Sequence, residues 1–138
     1  VTLTGNGIIF LAESTEIDIG DSCLIAKGVT IRTDDSHPIF SVTTKKRVNN
    51  SKSIHIDNNV WIGEDATVMK GVKIRQGSVV GTKSVVTKLV PNNCCVAGNP
   101  AKVINLDIAW PNHYLRSPLW NEKIDGNDLY DDFIWKTT

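Results

Sequence analysis

The chain has 138 residues, 41% of them hydrophobic and 22% charged, and its 15 Lys and Arg balance 15 Asp and Glu to a formal net charge of zero. This length predicts one domain with a modest core. No segment is long or apolar enough for a transmembrane helix, and none resembles a signal peptide. Three cysteines, an odd number, argue against a disulfide framework and favour a reducing, cytoplasmic location.

The first part of the chain predicts an entering coil followed by a short block of repeats. Residues 1–12 have an irregular pattern, whereas Ile19, Ile25 and Ile31 recur at a spacing of six. Cys23 lies four residues after Ile19, at a position of the repeat that holds a small or aliphatic residue in the later repeats. We therefore expect it to be a buried free thiol.

One insertion interrupts the repeat after Ile31. It holds His37 and a polar loop, residues 38–53, that contains no acidic residue. Insertions into a repeat project from one face while the stacked coils stay rigid, so function is expected at departures from the repeat. The basic residues of the loop are Lys45, Lys46, Arg47 and Lys52.

Residues 54–90 carry the most regular pattern, in which an aliphatic residue recurs at every sixth position. An α-helix would spread a period of six around its circumference, and a simple strand needs a period of two. Short straight segments joined by tight corners account for the pattern, so it predicts a parallel β-helix of hexapeptide repeats. The aliphatic positions are Ile56, Ile62, Val68, Ile74, Val80 and Val86; the small positions are Val60, Ala66, Val72, Ser78, Ser84 and Val90; the corner pairs are Asn58-Asn59, Glu64-Asp65, Lys70-Gly71, Gln76-Gly77 and Thr82-Lys83.

The C-terminal part departs from the repeat. Pro91 breaks the period, and residues 96–101 predict a last turn. We expect residues 1–104 to form the β-helix domain and residues 105–138 to cover an end or flank of it. The tail carries Trp110, Trp120 and Trp135, its Pro111 and Pro118 exclude one long helix, and a short helix is expected around Asp128–Trp135.

The charge is unevenly distributed along the chain. Residues 1–37 hold two basic and six acidic residues, residues 38–104 hold ten and three, and residues 105–138 hold three and six. The basic middle suits a polyanionic small ligand such as a coenzyme phosphate, although a solvated basic surface is the alternative interpretation. Nucleic acid is disfavoured, because no aromatic residues interleave with the basic ones and no nucleic-acid motif is present.

Three stretches, taken in order, resemble a known family. They are IDIGDSCLIAKGVTIRTDDSHPIF, IHIDNNVWIGEDATVMKGVKI and SVVTKLVPNNCCVAGNPAKVI. Their combination is similar to the hexapeptide-repeat acetyltransferases, which include the maltose, galactoside and virginiamycin acetyltransferases and the O-acetyltransferases of surface-polysaccharide biosynthesis. The resemblance covers roughly residues 6–104, and the D-D-S-H-P variant is closest to the polysaccharide-linked branch.

This resemblance implies an all-β fold, a left-handed parallel β-helix with one protruding loop, assembled as a homotrimer. It also implies that acetyl-CoA lies between adjacent subunits, as co-substrate for transfer to a sugar or glycan precursor. His37 corresponds to the catalytic histidine of the family, and a positioned histidine is a suitable general base for the acceptor hydroxyl. Without the resemblance, a lone loop histidine would have no special role.

The resemblance implies further site residues, and those on the acceptor side have a plainer explanation. Asn6, Asp34, Asp35 and Trp61 would contact the acceptor; Asp34 or Asp35 would alternatively orient the imidazole. As ordinary residues, the first three are turn formers, and Trp61 is a surface tryptophan. The coenzyme contacts would be Ala26, Gly63, Glu64, Thr82, Thr87, Lys88 and Lys102, with Glu64 departing from the small residue usual in the family.

No metal site is predicted. Cys94 and Cys95 lack a Cys or His partner at ligand spacing, and His55 is expected to point outward. The three histidines are too scattered for a γ-class carbonic anhydrase on the same fold. No Cys or Ser stands in a nucleophile motif, which favours direct transfer over a covalent acetyl-enzyme.

Two alternatives to O-acetylation of a sugar remain. One is N-acetylation of an amino sugar, and the other is a non-catalytic module that serves only for assembly.

Overall fold

The computed structural model describes residues 1–112, which form thirteen strands and no helix, so no helix in this range could cross a membrane. Most strands are only two or three residues long, as short straight segments between tight corners require. The strands are β1 Thr2–Leu3, β2 Ile8–Phe10, β3 Ile17–Ile19, β4 Leu24–Ile25, β5 Thr30–Arg32, β6 Ile54–Ile56, β7 Trp61–Ile62, β8 Thr67–Val68, β9 Lys73–Ile74, β10 Val79–Val80, β11 Val85–Val86, β12 Cys95–Gly98 and β13 Ala101–Asn105.

Successive strands lie on successive faces of a three-sided prism. The first face contains β1, β4, β7, β10 and β12, the second β2, β5, β8 and β11, and the third β3, β6 and β9. Neighbours within these faces pair in parallel, and in the regular part each residue pairs with one 18 positions away, as Trp61 does with Val79. One coil is therefore three hexapeptides, which confirms the parallel β-helix predicted from the spacing of six.

The core consists of the repeating aliphatic and small positions. The eight aliphatic residues from Ile25 to Val86 are only 0–6% exposed, and Cys23 is completely buried. Burying one such side chain contributes about 1.5–3 kcal/mol, so each coil adds to stability by stacking on the next. The two serines at small positions are buried with partners: Ser78 Oγ donates to Arg75 O at 2.6 Å, and Ser84 Oγ accepts from Gly98 N at 3.1 Å.

The corners depend on one backbone conformation. The second residue of every predicted corner pair has a positive φ, between 54° and 76°. Asn, Asp and Gly tolerate this left-handed region better than other residues. This preference explains why the polar or glycine pairs recur between the aliphatic positions. The five residues are Asn59, Asp65, Gly71, Gly77 and Lys83.

The insertion leaves the prism between the second and third faces. Thr30 and His55 are 25 positions apart, whereas their register partners Thr67 and Lys73 are six apart, so the second coil holds 19 extra residues. Residues 39–48, here called the finger, form a short antiparallel hairpin closed by the Phe40–Arg47 bridge. The finger is less polar than the sequence suggested, because four of its apolar side chains are exposed: Ile39, Phe40, Val42 and Val48.

The end of the repeat also differs from the prediction. Residues 95–105 form an antiparallel hairpin of β12 and β13 through a cis Asn99–Pro100 bond, where only a last turn was expected. After it the chain returns across the prism, and the Trp110 side chain is buried there. Of the tail features, Trp120, Trp135, Pro118 and the helix expected around residues 128–135 lie outside the described residues, so the domain boundary at 104 stays a prediction.

Candidate active site

His37 lies at the corner between the second and third faces, at the base of the finger. Its N–H donates to Asp35 O at 2.8 Å, and its own carbonyl oxygen accepts from Asn49 Nδ2 at 2.9 Å. Ser36 before it has a φ of 67°, and its N–H donates to Asp34 Oδ1 at 2.5 Å. This turn fixes the backbone of His37, while the exposed imidazole makes no hydrogen bond within residues 1–112.

Neither aspartate before His37 is paired with its imidazole. Asp34 lies against Arg32, whose Nε donates to the Asp34 carbonyl oxygen at 2.7 Å. The Asp35 carboxylate forms an ion pair with Lys70 of the third coil and accepts from Asn49 Nδ2 at 3.0 Å. The hydrogen bond from Lys70 lowers the pKa of Asp35, so this carboxylate is ionised at neutral pH.

The base of the finger is tied to the first coil as well. Arg47 forms an ion pair with Glu13, which also accepts a hydrogen bond from Ser51. These contacts, first the one with Arg47, lower the pKa of Glu13 to about 2. The insertion is therefore anchored to the first coil through Glu13, which pairs with Arg47, and to the third coil through Lys70, which pairs with Asp35.

Trp61 begins β7, on the first face, and 39% of it is exposed. Its ring centroid is 5.6 Å from that of Trp110, with the planes tilted by 47°. The Trp110 Nε1–H donates to Asn59 O at 3.0 Å, which holds the buried indole at this corner. Trp61 is thus fixed from one side by a residue of the tail, and its remaining surface faces outward.

Small residues at the corner between the first and second faces form a column. Ala26, Gly63, Gly81 and Ala97 follow one another on successive coils. A Cβ on Gly63 would lie 2.8 Å from Thr82 N, so this position requires glycine for packing whatever else it does. The column leaves backbone groups at this corner free of bulky side chains.

The other candidate coenzyme residues lie at three places in the chain. Glu64 forms an ion pair with Lys27 at 3.2 Å, which gives this unusual residue a partner on the neighbouring coil. Thr82 is exposed at the same corner, where the candidate acceptor residue Asn6 accepts from Gly28 N at 2.7 Å through its carbonyl oxygen. Elsewhere, Thr87 and Lys88 are exposed beyond β11, and Lys102 is exposed on β13.

A single chain therefore brings only part of the predicted set together. Asp34, Asp35 and His37 share one corner, whereas Trp61 stands on the first face and the group with Ala26 at another corner. His55 is half-buried on the third face, with Nδ1 3.0 Å from Asp18 Oδ2. It is not part of the His37 corner, and His113 lies outside the described residues.

Sequence reasoning missed three residues that shape this site. Asn49 and Lys70 hold the turn of His37, and Trp110 packs on Trp61. A break in the repeat marks the region of Asn49 but does not distinguish it from its neighbours. Lys70 stands in an ordinary corner pair, so its sequence context carries no signal of its contact with Asp35.

Comparisons with known proteins show what this chain is similar to, although no protein-family model matches it. It is 45% identical over 109 residues to a polysialic acid O-acetyltransferase of Escherichia coli O1:K1 / APEC, covering 79% of this chain and 36% of that protein. It is 34% identical over 121 residues to a putative lipopolysaccharide biosynthesis O-acetyltransferase of Escherichia coli strain K12, covering 72% of this chain and 61% of that protein.

The fold has close counterparts among solved structures. The polysialic acid O-acetyltransferase OatWY superposes with a TM-score of 0.77 at 38% identity, covering 84% of this chain and 57% of that one. This similarity confirms the predicted left-handed β-helix of hexapeptide repeats. The chain spans about a third of the length of the first relative and under two thirds of the second.

Proposed function

We propose that this chain, which belongs to the hexapeptide-repeat acetyltransferase family, transfers an acetyl group from acetyl-CoA to a hydroxyl group of a sugar or glycan precursor. The observation that carries the proposal is that His37 has an exposed side chain on a backbone fixed by hydrogen bonds. The repeat breaks at this one long insertion, and the turn there holds the backbone of His37 on both sides while its imidazole stays exposed. An imidazole held in this way is available to an acceptor hydroxyl.

The proposed reaction is a direct transfer with His37 as general base. The neutral imidazole takes the proton of the acceptor hydroxyl as that oxygen attacks the thioester carbonyl carbon. The tetrahedral intermediate then collapses, the C–S bond breaks, and the imidazolium returns the proton to the leaving thiolate. The products are the acetyl ester and free coenzyme A, and positioned bases of this kind contribute about 10²–10⁴-fold.

The acceptor side of the site is proposed around Asp34, Asn6 and Trp61. Asp34 belongs to the same turn as His37, since its carboxylate accepts from Ser36 N. Trp61 has a partly exposed ring, and sugar rings commonly pack on such aromatic faces. Asp35 is assigned a supporting role, because Lys70 and Asn49 already occupy its carboxylate. Backbone N–H groups would stabilise the oxyanion.

We propose a homotrimer whose active sites lie between subunits. Two arguments support it: the candidate residues stand at different corners of one prism and cannot meet in one chain, and a ring of three heterologous contacts closes on itself. Light scattering at micromolar concentration should give three times the chain mass. A monomer would contradict the shared site without affecting the fold.

The coenzyme is proposed to contact the small-residue column, together with Glu64, Thr82 and Thr87. Lys88 and Lys102 are the proposed phosphate partners, because both are exposed in the basic part of the chain. Charge-assisted contacts to phosphate are strong and are screened by salt. The affinity for coenzyme A should therefore fall as ionic strength rises, and Lys88→Ala or Lys102→Ala should raise KM for acetyl-CoA more than it lowers kcat.

The names of similar proteins support the proposed acceptor class. Two of the similar proteins are named for O-acetylation of polysialic acid and one for lipopolysaccharide biosynthesis. We propose an O-acetylated glycan or its precursor as the product, formed in the cytoplasm, where the free cysteines of this chain would remain reduced.

Two measurements on the full chain test the proposal. Coenzyme A should raise the melting temperature, by linkage to the folded state. Thiol release from acetyl-CoA should then depend on an added acceptor, tested with sialic acid oligomers, galactosides and amino sugars. Release with a hydroxyl acceptor supports O-acetylation, and release with amino sugars alone would replace it with N-acetylation. Absence of any coenzyme A effect would overturn the proposal in favour of a non-catalytic assembly module.

A further inference from the structure

We propose that Asn49, anchored through Asp35 and Lys70, is a positioning clamp that holds the catalytic histidine in place. This inference rests on the proposed function, since it concerns the same His37. None of the three residues touches the proposed reacting atoms. They act on the backbone that carries the imidazole, and they link it to a rigid coil of the β-helix.

The side-chain amide of Asn49 uses all of its main hydrogen-bonding capacity. Its Oδ1 accepts from Ile39 N at 2.7 Å and from Arg47 Nε at 3.2 Å. Its Nδ2 donates to His37 O at 2.9 Å and to Asp35 Oδ2 at 3.0 Å. Asn49 is 8% exposed, so each of these bonds is largely shielded from water.

Three of these four contacts join the two ends of the insertion. Asn49 is at the C-terminal side of the finger, whereas Asp35, His37 and Ile39 are at the N-terminal side. A loop of 19 extra residues would otherwise have many conformations at its base. Hydrogen bonds of the Asn49 side chain therefore hold the two strands of chain together where they leave and re-enter the β-helix, as backbone hydrogen bonds do within a sheet.

Lys70 connects this loop base to the stacked coils. It follows β8 on the third coil, between Val68 and Val72, which are completely or almost completely buried. Its ammonium group forms an ion pair with Asp35, whose other partner is Asn49. A continuous path thus runs from the rigid third coil through Lys70, Asp35 and Asn49 to the carbonyl group of His37.

The path matters because a general base acts only within hydrogen-bonding distance of its proton. A displacement of about 1 Å can lower a rate by roughly 10²-fold even when the catalytic group is intact. Loss of the clamp should therefore lower kcat, while acetyl-CoA binding, placed at other corners, should change little. Loss of a merely structural residue would instead lower stability, without a selective fall in kcat at unchanged KM for acetyl-CoA.

The first test compares Asn49→Ala with Asn50→Ala in the full chain. Asn50 is the exposed neighbour, and its side chain makes no hydrogen bond within the described residues. We expect kcat to fall by about 10–100-fold in Asn49→Ala, with KM for acetyl-CoA within about twofold of wild type. Asn50→Ala should match wild type, and equal kcat values for the two variants would overturn the clamp.

The second test replaces the anchor. Lys70→Met should lower kcat, and Lys70→Arg, which keeps the charge and donors, should restore most of it. Lys73→Met is the matched control, because Lys73 is exposed and has no ion pair among residues 1–112. If Lys70 acts through Asn49, combining Lys70→Met with Asn49→Ala should cost less than the product of the single effects. Fully multiplicative losses would refute the shared path.

Hydrogen exchange tests the clamp independently of activity. The N–H of Ile39 is bound by Asn49 Oδ1, and that of His37 by the Asp35 carbonyl. Both amides should exchange faster in Asn49→Ala than in wild type or Asn50→Ala. Unchanged exchange in Asn49→Ala would contradict the clamp, whether or not the enzyme is active. If the wild type shows no acetyltransferase activity but Asn49→Ala exchanges faster, only the proposed function is overturned.

Discussion

Replacement of His37 by alanine tests the proposed chemistry most directly. The imidazole makes no hydrogen bond within residues 1–112, and both polar contacts of His37 involve its backbone, which alanine keeps. The free energy of unfolding should therefore change by no more than about 0.5 kcal/mol, as for other exposed side chains. The clamp and the turn should remain in place.

The effect on catalysis should be much larger than the effect on stability. Removing the base should lower kcat by about 10²–10⁴-fold, which corresponds to about 2.7–5.4 kcal/mol in the activation barrier. KM for acetyl-CoA should stay near its wild-type value, because the imidazole interacts with the transferring proton in the transition state and little with the ground state.

The assay is thiol release with the acceptor identified in the screen, run beside urea unfolding of the same samples. His55→Ala is the matched control: His55 is a partly exposed histidine paired with Asp18 on the third face, away from the proposed site. It should keep full kcat. The general-base assignment would be wrong if His37→Ala retained more than a tenth of the wild-type kcat, or if His55→Ala lost as much.

Three further predictions concern stability. Ile62→Ala should lower the free energy of unfolding, measured by urea denaturation, by about 2–5 kcal/mol, because the side chain is completely buried in the core. A loss under 1 kcal/mol would contradict a packed core there. Trp110→Phe should cost about 1 kcal/mol, since it removes the indole N–H that satisfies the Asn59 carbonyl oxygen; an unchanged unfolding midpoint would show that this hydrogen bond contributes nothing. The lowered pKa of Asp35 means that its ion pair with Lys70 stabilises the fold above the ordinary aspartate pKa of about 3.9 and that this contribution is lost as pH falls through the lowered value. The difference in unfolding free energy between wild type and Lys70→Met should therefore shrink on acidification from pH 6 to pH 2, and a constant difference would refute the coupling.

The spacing of six was sufficient to predict a parallel β-helix, whereas its left hand was implied by the resemblance. Each aliphatic position must point inward if the segments between corners are short and straight, and all eight from Ile25 to Val86 do so. The corner pairs were equally informative, since a tight turn needs a residue that tolerates positive φ, as at Asn59 and Gly77. Such features are local or strictly periodic, and a single sequence is sufficient to recognise them.

The sequence also singled out His37, because the period fails around it and it stands within the S-H-P motif; its catalytic role stays a prediction. The periodic pattern could not place the hairpin of β12 and β13, where Gly98, Asn99 and Pro100 reverse the chain. It also could not describe the finger, whose hairpin is set by contacts within the insertion and by Asn49. Outside the repeat, each residue's environment depends on distant parts of the chain.

Only the tertiary structure decided what surrounds the site. Asn49 and Lys70 are separated by 21 positions in the sequence, yet both contact Asp35, because the insertion folds back onto the next coil. Trp110 reaches Trp61 in the same way, after the chain reverses beyond the last coil. Periodicity specifies which residues face inward within a coil. It carries no information about which outward side chains meet across coils, since those contacts depend on the path of the irregular segments.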